Sequence, residues 1–122
     1  DRVYLIEFNA RPGGGHIWYP MVELSTGFDI MAAIAQAAVG ELSPIDTNSF
    51  KRHHSGLYYV VKQTDFLKTI FDECQNKQWC VEKNFVTDEL TELVQNDLEH
   101  TNYMIYSSID GDPVKELLDS RK

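Results

Sequence analysis

Cysteine is nearly absent: the 122 residues contain two, Cys74 and Cys80. Two thiols make no disulfide framework, and without a Cys/His cluster they make no zinc site; a reducing cytoplasm is the expected compartment. Basic residues are also scarce, 11 against 19 acidic, giving a net charge of −8 and a pI of about 4.8. Phosphate backbones and anionic lipid headgroups repel such a surface, so neither nucleic acid nor membrane is expected as a partner. No apolar run approaches the roughly 20 residues of a membrane-crossing helix, and no basic-then-apolar leader is present. What is there is globular. Hydrophobic residues make up 43% and charged residues 25%, which excludes disorder for the bulk of the chain. The length suits one ordinary domain.

The chain opens on Asp1-Arg2-Val3-Tyr4-Leu5-Ile6, already strand formers and with no initiator Met, and reads as a piece of a longer protein. Val3 to Phe8 predicts a strand covered on both faces. Pro12 and three glycines end it. Ile17 to Thr26 predicts a short helix with Pro20 in its first turn and Gly27 at its end. Asp29 is placed to cap a second, alanine-rich helix that closes at Gly40. Glu41 to Gly56 is polar and holds the best internal boundary. Beyond it, strands are expected at Leu57–Lys62, Trp79–Val86 and Tyr103–Ile109, with helices at Asp65–Gln75 and Asp88–Glu99. Asp110-Gly111 marks a turn and Asp112-Pro113 the start of a last helix. The expected organisation is residues 1–42, a linker at 43–56, and a small α+β unit at 57–122.

The chemistry concentrates in Glu7-Phe8-Asn9-Ala10-Arg11-Pro12-Gly13-Gly14-Gly15-His16. Side chains two apart on a strand share a face, so Glu7, Asn9 and Arg11 continue the side begun by Val3 and Leu5. That face turns from apolar to polar at the strand's carboxyl end, where ligands of doubly covered sheets usually bind. Glu7 and Asn9 offer hard oxygens about 6.6 Å apart at ~3.3 Å per residue, suited to magnesium that also holds phosphates. Arg11 brings a permanently charged fork that matches phosphate or carboxylate. Gly13, Gly14 and Gly15 let backbone N–H groups approach an anion closely. Each of these residues alone is ordinary. Together, in ten residues after an apolar strand, they point to a site.

This Glu-x-Asn-x-Arg-Pro-Gly-Gly-Gly-His segment resembles the last metal-binding strand of the ATP-grasp enzymes. The likeness runs through Gly27-Phe28-Asp29-Ile30 to Gly40, about residues 2 to 40, and the triple glycine favours the carboxylate–amine ligase branch. From Ser43 onward there is no comparable signature. The resemblance implies an α+β fold: the carboxyl-terminal part of an ATP-grasp sheet with two helices, followed by a small α+β subdomain. It implies ATP and Mg2+ as cofactors, and small-molecule carboxylate and amine substrates. It also implies the roles: Glu7 and Asn9 as metal ligands, Arg11 as the catalytic residue binding the transferred phosphoryl group, and Gly13, Gly14 and Gly15 holding the substrate carboxylate. Such enzymes further need an acidic ligand on a neighbouring strand, a glycine-rich flap and an ATP-gripping lysine, which this sequence does not supply ahead of Asp1. The 122 residues alone are therefore expected to be inactive, with apolar surface that favours self-association into a homo-oligomer.

Alternatives within the superfamily are a biotin-carboxylase-like or a purine-biosynthetic enzyme. An alternative of another kind is a non-catalytic acidic module for protein association. His16 has two readings, a substrate contact or a solvent-exposed helix-start residue. Lys51-Arg52-His53-His54 is the one basic cluster and reads as a solvated linker rather than a phosphate or metal site. Cys74 and Cys80 read as core or half-buried thiols, the Trp79, Tyr58, Tyr59, Tyr103 and Tyr106 rings as strand packing, and Asp110 and Asp112 as turn and cap.

Overall fold

A computed structural model describes residue 14 and residues 16–93 and 100–120. The expected strand at 3–8 and most of the glycine loop lie outside these residues. Among the described residues the chain is a small α+β fold with four α-helices and a three-stranded antiparallel sheet. In chain order they are α1 (Met21–Thr26), α2 (Ile30–Ala38), β1 (His54–Tyr59), α3 (Lys68–Glu73), β2 (Cys80–Asn84), β3 (Tyr103–Ser108) and α4 (Lys115–Asp119).

The helix punctuation follows the local chemistry. Gly27 takes the left-handed conformation (φ 72°) that side chains resist, and its N–H donates to the Glu23 carbonyl at 2.7 Å, which stops α1. The Asp29 carboxylate accepts the Ala32 N–H at 2.8 Å and starts α2. Gly40 (φ 77°) closes it, with the Glu41 N–H reaching back to the Gln36 carbonyl at 2.8 Å. Pro20, after a cis Tyr19–Pro20 bond, stands at the cap of α1 rather than inside its first turn.

β3 lies between β1 and β2, and Leu57 faces Ile105 across the β1–β3 ladder. Alternation divides the sheet into two faces. One bears Tyr58, Met104 and Tyr106 and packs on the main core with Val60, Leu67, Phe71, Cys74 and Val114. Phe71 and Met104 are fully buried. The other bears Ser55, Leu57, Tyr59, Tyr103, Ile105 and Ser107, and α1 lies on this side. Two backbone hydrogen bonds hold α1 to the approach to β1: Lys51 N–H to the Thr26 carbonyl (2.7 Å) and His53 N–H to the Ser25 carbonyl (3.1 Å).

Two expected helices differ. Asp65–Gln75 is split into a 3-10 segment (Lys62–Leu67), α3 and a second 3-10 turn (Cys74–Asn76). Thr64 leaves helical geometry (φ −125°) because its hydroxyl donates to the Tyr59 carbonyl at 2.5 Å and accepts the Val61 N–H at 3.1 Å. Asp88–Leu93, the described half of the expected Asp88–Glu99 helix, is not helical. Its backbone is taken by the neighbouring segment instead: the Thr91 carbonyl accepts the Lys62 N–H (2.9 Å) and the Leu93 N–H donates to Gln63 Oε1 (3.3 Å). Leu90 still reaches the core. Apolar spacing predicts its burial correctly and its helix wrongly.

β1 starts at His54, three residues before the expected Leu57, and ends at Tyr59. β2 and β3 fall inside their expected ranges. Asn102 ends β2 by accepting the Val86 and Thr87 N–H groups at 2.7 and 3.2 Å on its side-chain oxygen.

Candidate functional site

Of the residues that the sequence marks, Glu7, Asn9, Arg11, Gly13 and Gly15 lie outside the described residues. Gly14 and His16 are described, and they line one cavity. The turn into α1 begins here: the Gly14 carbonyl accepts the Ile17 N–H at 3.4 Å and the His16 carbonyl accepts the Met21 N–H at 3.2 Å. His16 takes a positive φ of 61°, an uncommon conformation for a residue with a side chain. Its imidazole lies 5.2 Å from the Tyr103 ring centroid, tilted by 48°. Of its two readings, an imidazole simply exposed at a helix start does not describe this contact.

Tyr103 is a firm wall for that ring. Its hydroxyl donates to Glu82 Oε1 at 2.6 Å, and Tyr59 meets it edge-on at 6.4 Å. Burial, then the Glu82 carboxylate, pushes the Tyr103 phenol up to about 12, and burial also raises Tyr59. Both stay neutral donors near pH 7.

The cavity has a volume of about 510 Å³. Gly14, His16, Ile17 and Met21 border it from the turn and α1, and Ser55, Gly56, Leu57 and Tyr59 border it from β1. Ser55, Leu57 and Tyr59 reach it because alternate residues of a strand share a face. The Ser55 hydroxyl donates to the Met21 carbonyl at 3.4 Å and the Ser107 hydroxyl to the Leu24 carbonyl at 3.4 Å, holding α1 over that face.

The remaining candidates stand apart from this cavity. Lys51, Arg52 and His54 are exposed, and His53 Nδ1 lies 3.4 Å from Ser107 Oγ. No group of three or more His, Cys, Asp or Glu among the described residues is placed to hold a metal ion. Burial, then the neighbouring Cys80, pushes the Cys74 thiol up to about 12, so it is a poor nucleophile. Asp112 accepts the Val114 N–H at 2.9 Å and acts as a cap. No helix among the described residues is long and apolar enough to cross a membrane.

Sequence reasoning missed Met21, Leu57 and Tyr59 as neighbours of His16. The Leu57/Tyr59 alternation is visible in the sequence, but which face meets the glycine loop depends on α1 folding back across β1. Comparison with known protein families, with curated proteins and with solved structures gives no match for this chain.

Proposed function

We propose that the chain is the carboxyl-terminal part of an ATP-dependent carboxylate–amine ligase of the ATP-grasp kind. The observation that carries this reading is the segment Glu7-x-Asn9-x-Arg11-Pro12-Gly13-Gly14-Gly15-His16. Its last residue turns, at positive φ, against an aromatic wall beside a cavity. Residues 1–42 then close the grasp domain, and 57–122 form its small α+β subdomain.

In the reaction an oxygen of the substrate carboxylate attacks the γ-phosphorus of ATP and ADP leaves. The amine nitrogen of the second substrate then attacks the acyl carbon, releasing inorganic phosphate and a proton. Such catalysis is mostly positioning and charge neutralisation. Glu7 and Asn9 have the hard-oxygen donors that suit Mg2+, which would screen the ATP phosphates. Arg11 would bind the transferred phosphoryl group by its bidentate fork. The amides of Gly13 to Gly15 would orient the carboxylate, and His16 would border the acyl side. A biotin-carboxylase-like or purine-biosynthetic relative uses the same phosphoryl chemistry; the triple glycine favours the ligase.

A protein-association module is a second reading with one observation in its favour: α2 buries none of its nine residues and leaves Met31 and Ile34 exposed. Phosphate release from ATP by the complete protein, screened over amino-acid pairs, separates the two. A ligase releases phosphate only when both substrates are present, and an association module never does.

A further inference from the structure

We infer that Cys74 and Cys80 form a peroxide-sensitive dithiol, in which Cys80 meets the oxidant and Cys74 closes a reversible disulfide onto it. The pairing is independent of the ligase reading and involves described residues alone.

A local irregularity of the sheet brings the two thiols together. Along the β2–β3 ladder Lys83 faces Met104 and Glu82 faces Ile105, but the next pair is Cys80 with Tyr106. Val81 is therefore an extra residue, a bulge. Residues directly opposite each other share a face, so Lys83 and Cys80 both join the core face that bears Met104 and Tyr106. Strict alternation would turn Val81 inward and send Cys80 to the other face with Glu82. Instead Val81 is 49% exposed, and Cys80 packs against the main core cluster. Cys74 belongs to that cluster and has no exposed surface.

The connection between them is short and pinned. The Lys77 N–H donates to the Cys74 carbonyl at 2.8 Å, and the Cys80 N–H donates to the Lys77 carbonyl at 3.1 Å. Next to Cys80, the Trp79 carbonyl accepts the Ser107 N–H of β3 at 2.9 Å. The two thiols meet in a side-chain hydrogen bond.

Access sets the order of events. Cys80 is half-buried and Cys74 is covered, so a peroxide reaches Cys80 first. The Cys80 sulfur attacks one peroxide oxygen, the O–O bond breaks, and the departing hydroxide takes the thiol proton as water. The Cys74 sulfur then attacks the sulfur of the resulting Cys80 sulfenic acid. The S–O bond breaks, and the Cys74 proton leaves with the hydroxyl as a second water. Two thiols are oxidised to a disulfide and one hydrogen peroxide is reduced to two waters. Burial keeps Cys74 inert towards solutes, while its contact with Cys80 makes it the neighbour that resolves the sulfenic acid. The product ties the end of α3 to β2, and an added thiol reverses it.

The test uses the full 122-residue chain, reduced and dilute, treated with hydrogen peroxide. Titratable thiols should fall from two to none, with the loss of two hydrogens in mass, and dithiothreitol should restore both. Trypsin cuts after Lys77, so the bond should appear as residues 69–77 joined to 78–83. Cys80→Ser should leave Cys74 reduced at the same peroxide dose. Cys74→Ala should leave a Cys80 sulfenic acid that dimedone traps. The oxidised chain should unfold at a higher urea concentration, because the cross-link restricts the unfolded state. Two thiols that stay titratable, Cys80 gaining oxygen while Cys74 stays free in the unaltered chain, or disulfides formed only between chains would each overturn the inference. So would a lower urea midpoint after oxidation, which would mean that the native fold holds the sulfurs apart.

Discussion

The Tyr58 hydroxyl donates a hydrogen bond to the Asp112 carboxylate, joining β1 to the turn that starts α4 across 54 positions of sequence. The Tyr58 ring also stacks on Tyr106, with centroids 5.7 Å apart and planes 14° from parallel. Asp112 meanwhile caps the chain at Val114, whose side chain is buried in the main core. One carboxylate thus holds the last helix to the sheet. Tyr58→Phe keeps the stack and removes the bond to a charged acceptor, which costs about 1–2 kcal/mol in a partly buried setting. Urea unfolding should show a lower midpoint with an unchanged slope.

Gly56 faces the same aromatic pair. A Cβ built there would lie 2.6 Å from Tyr106 Cε1 and 3.0 Å from its Cζ. Gly56→Ala therefore forces the Tyr106 ring off Tyr58 and destabilises the fold by roughly 1–3 kcal/mol. Near-ultraviolet circular dichroism should lose aromatic signal in proportion. An unchanged spectrum and stability would show that Tyr106 does not cross over Gly56.

The Asp29 cap has a local effect. Asp29→Ala removes the acceptor of the Ala32 N–H and should cost about 1 kcal/mol of helix stability. No residue of α2 is buried. Amide exchange at Ala32 and Ala33 should therefore speed up severalfold while the global unfolding midpoint barely moves. A large global loss would mean that α2 supports the core.

Alkaline pH weakens the fold by a calculable sign. Burial and carboxylate neighbours raise Tyr58 and Tyr103 above the ordinary 10.0, Tyr103 to about 12, and burial raises Cys74 from 9.0 to about 12. The unfolded chain releases these protons first. Their stabilising contribution is complete below the unfolded values and is lost as pH rises through the folded ones, from about 9 to about 12. Stability measured at pH 8, 10 and 11 should fall progressively. Tyr103→Phe should make the fall between pH 10 and 12 shallower.

Much of this fold is legible residue by residue because the signals are local. Gly27, Asp29 and Gly40 each set a helix boundary through one backbone conformation or one hydrogen bond. The strands are legible by composition to within a few residues. Elsewhere tertiary hydrogen bonds win. Thr64, bound to the end of β1 by its hydroxyl, kinks the chain just ahead of the expected Asp65–Gln75 helix, and Lys62 and Gln63 hold residues 91–93 out of helical geometry. The candidate site is half legible. Of the motif, Gly14 and His16 border the cavity and Glu7 to Gly13 and Gly15 lie outside the described residues, whereas the β1 wall of the cavity depends on α1 docking across the sheet, which no local pattern encodes.

Glu7 gives the most direct test of the ligase reading. In the complete protein, ATP-dependent phosphate release with a competent amino-acid pair should fall at least a hundredfold in Glu7→Ala, because removing a charged ligand of the Mg2+ that would screen the phosphates forfeits several kcal/mol of transition-state stabilisation. Thermal unfolding should be nearly unchanged. Full activity in a folded Glu7→Ala protein would contradict the reading.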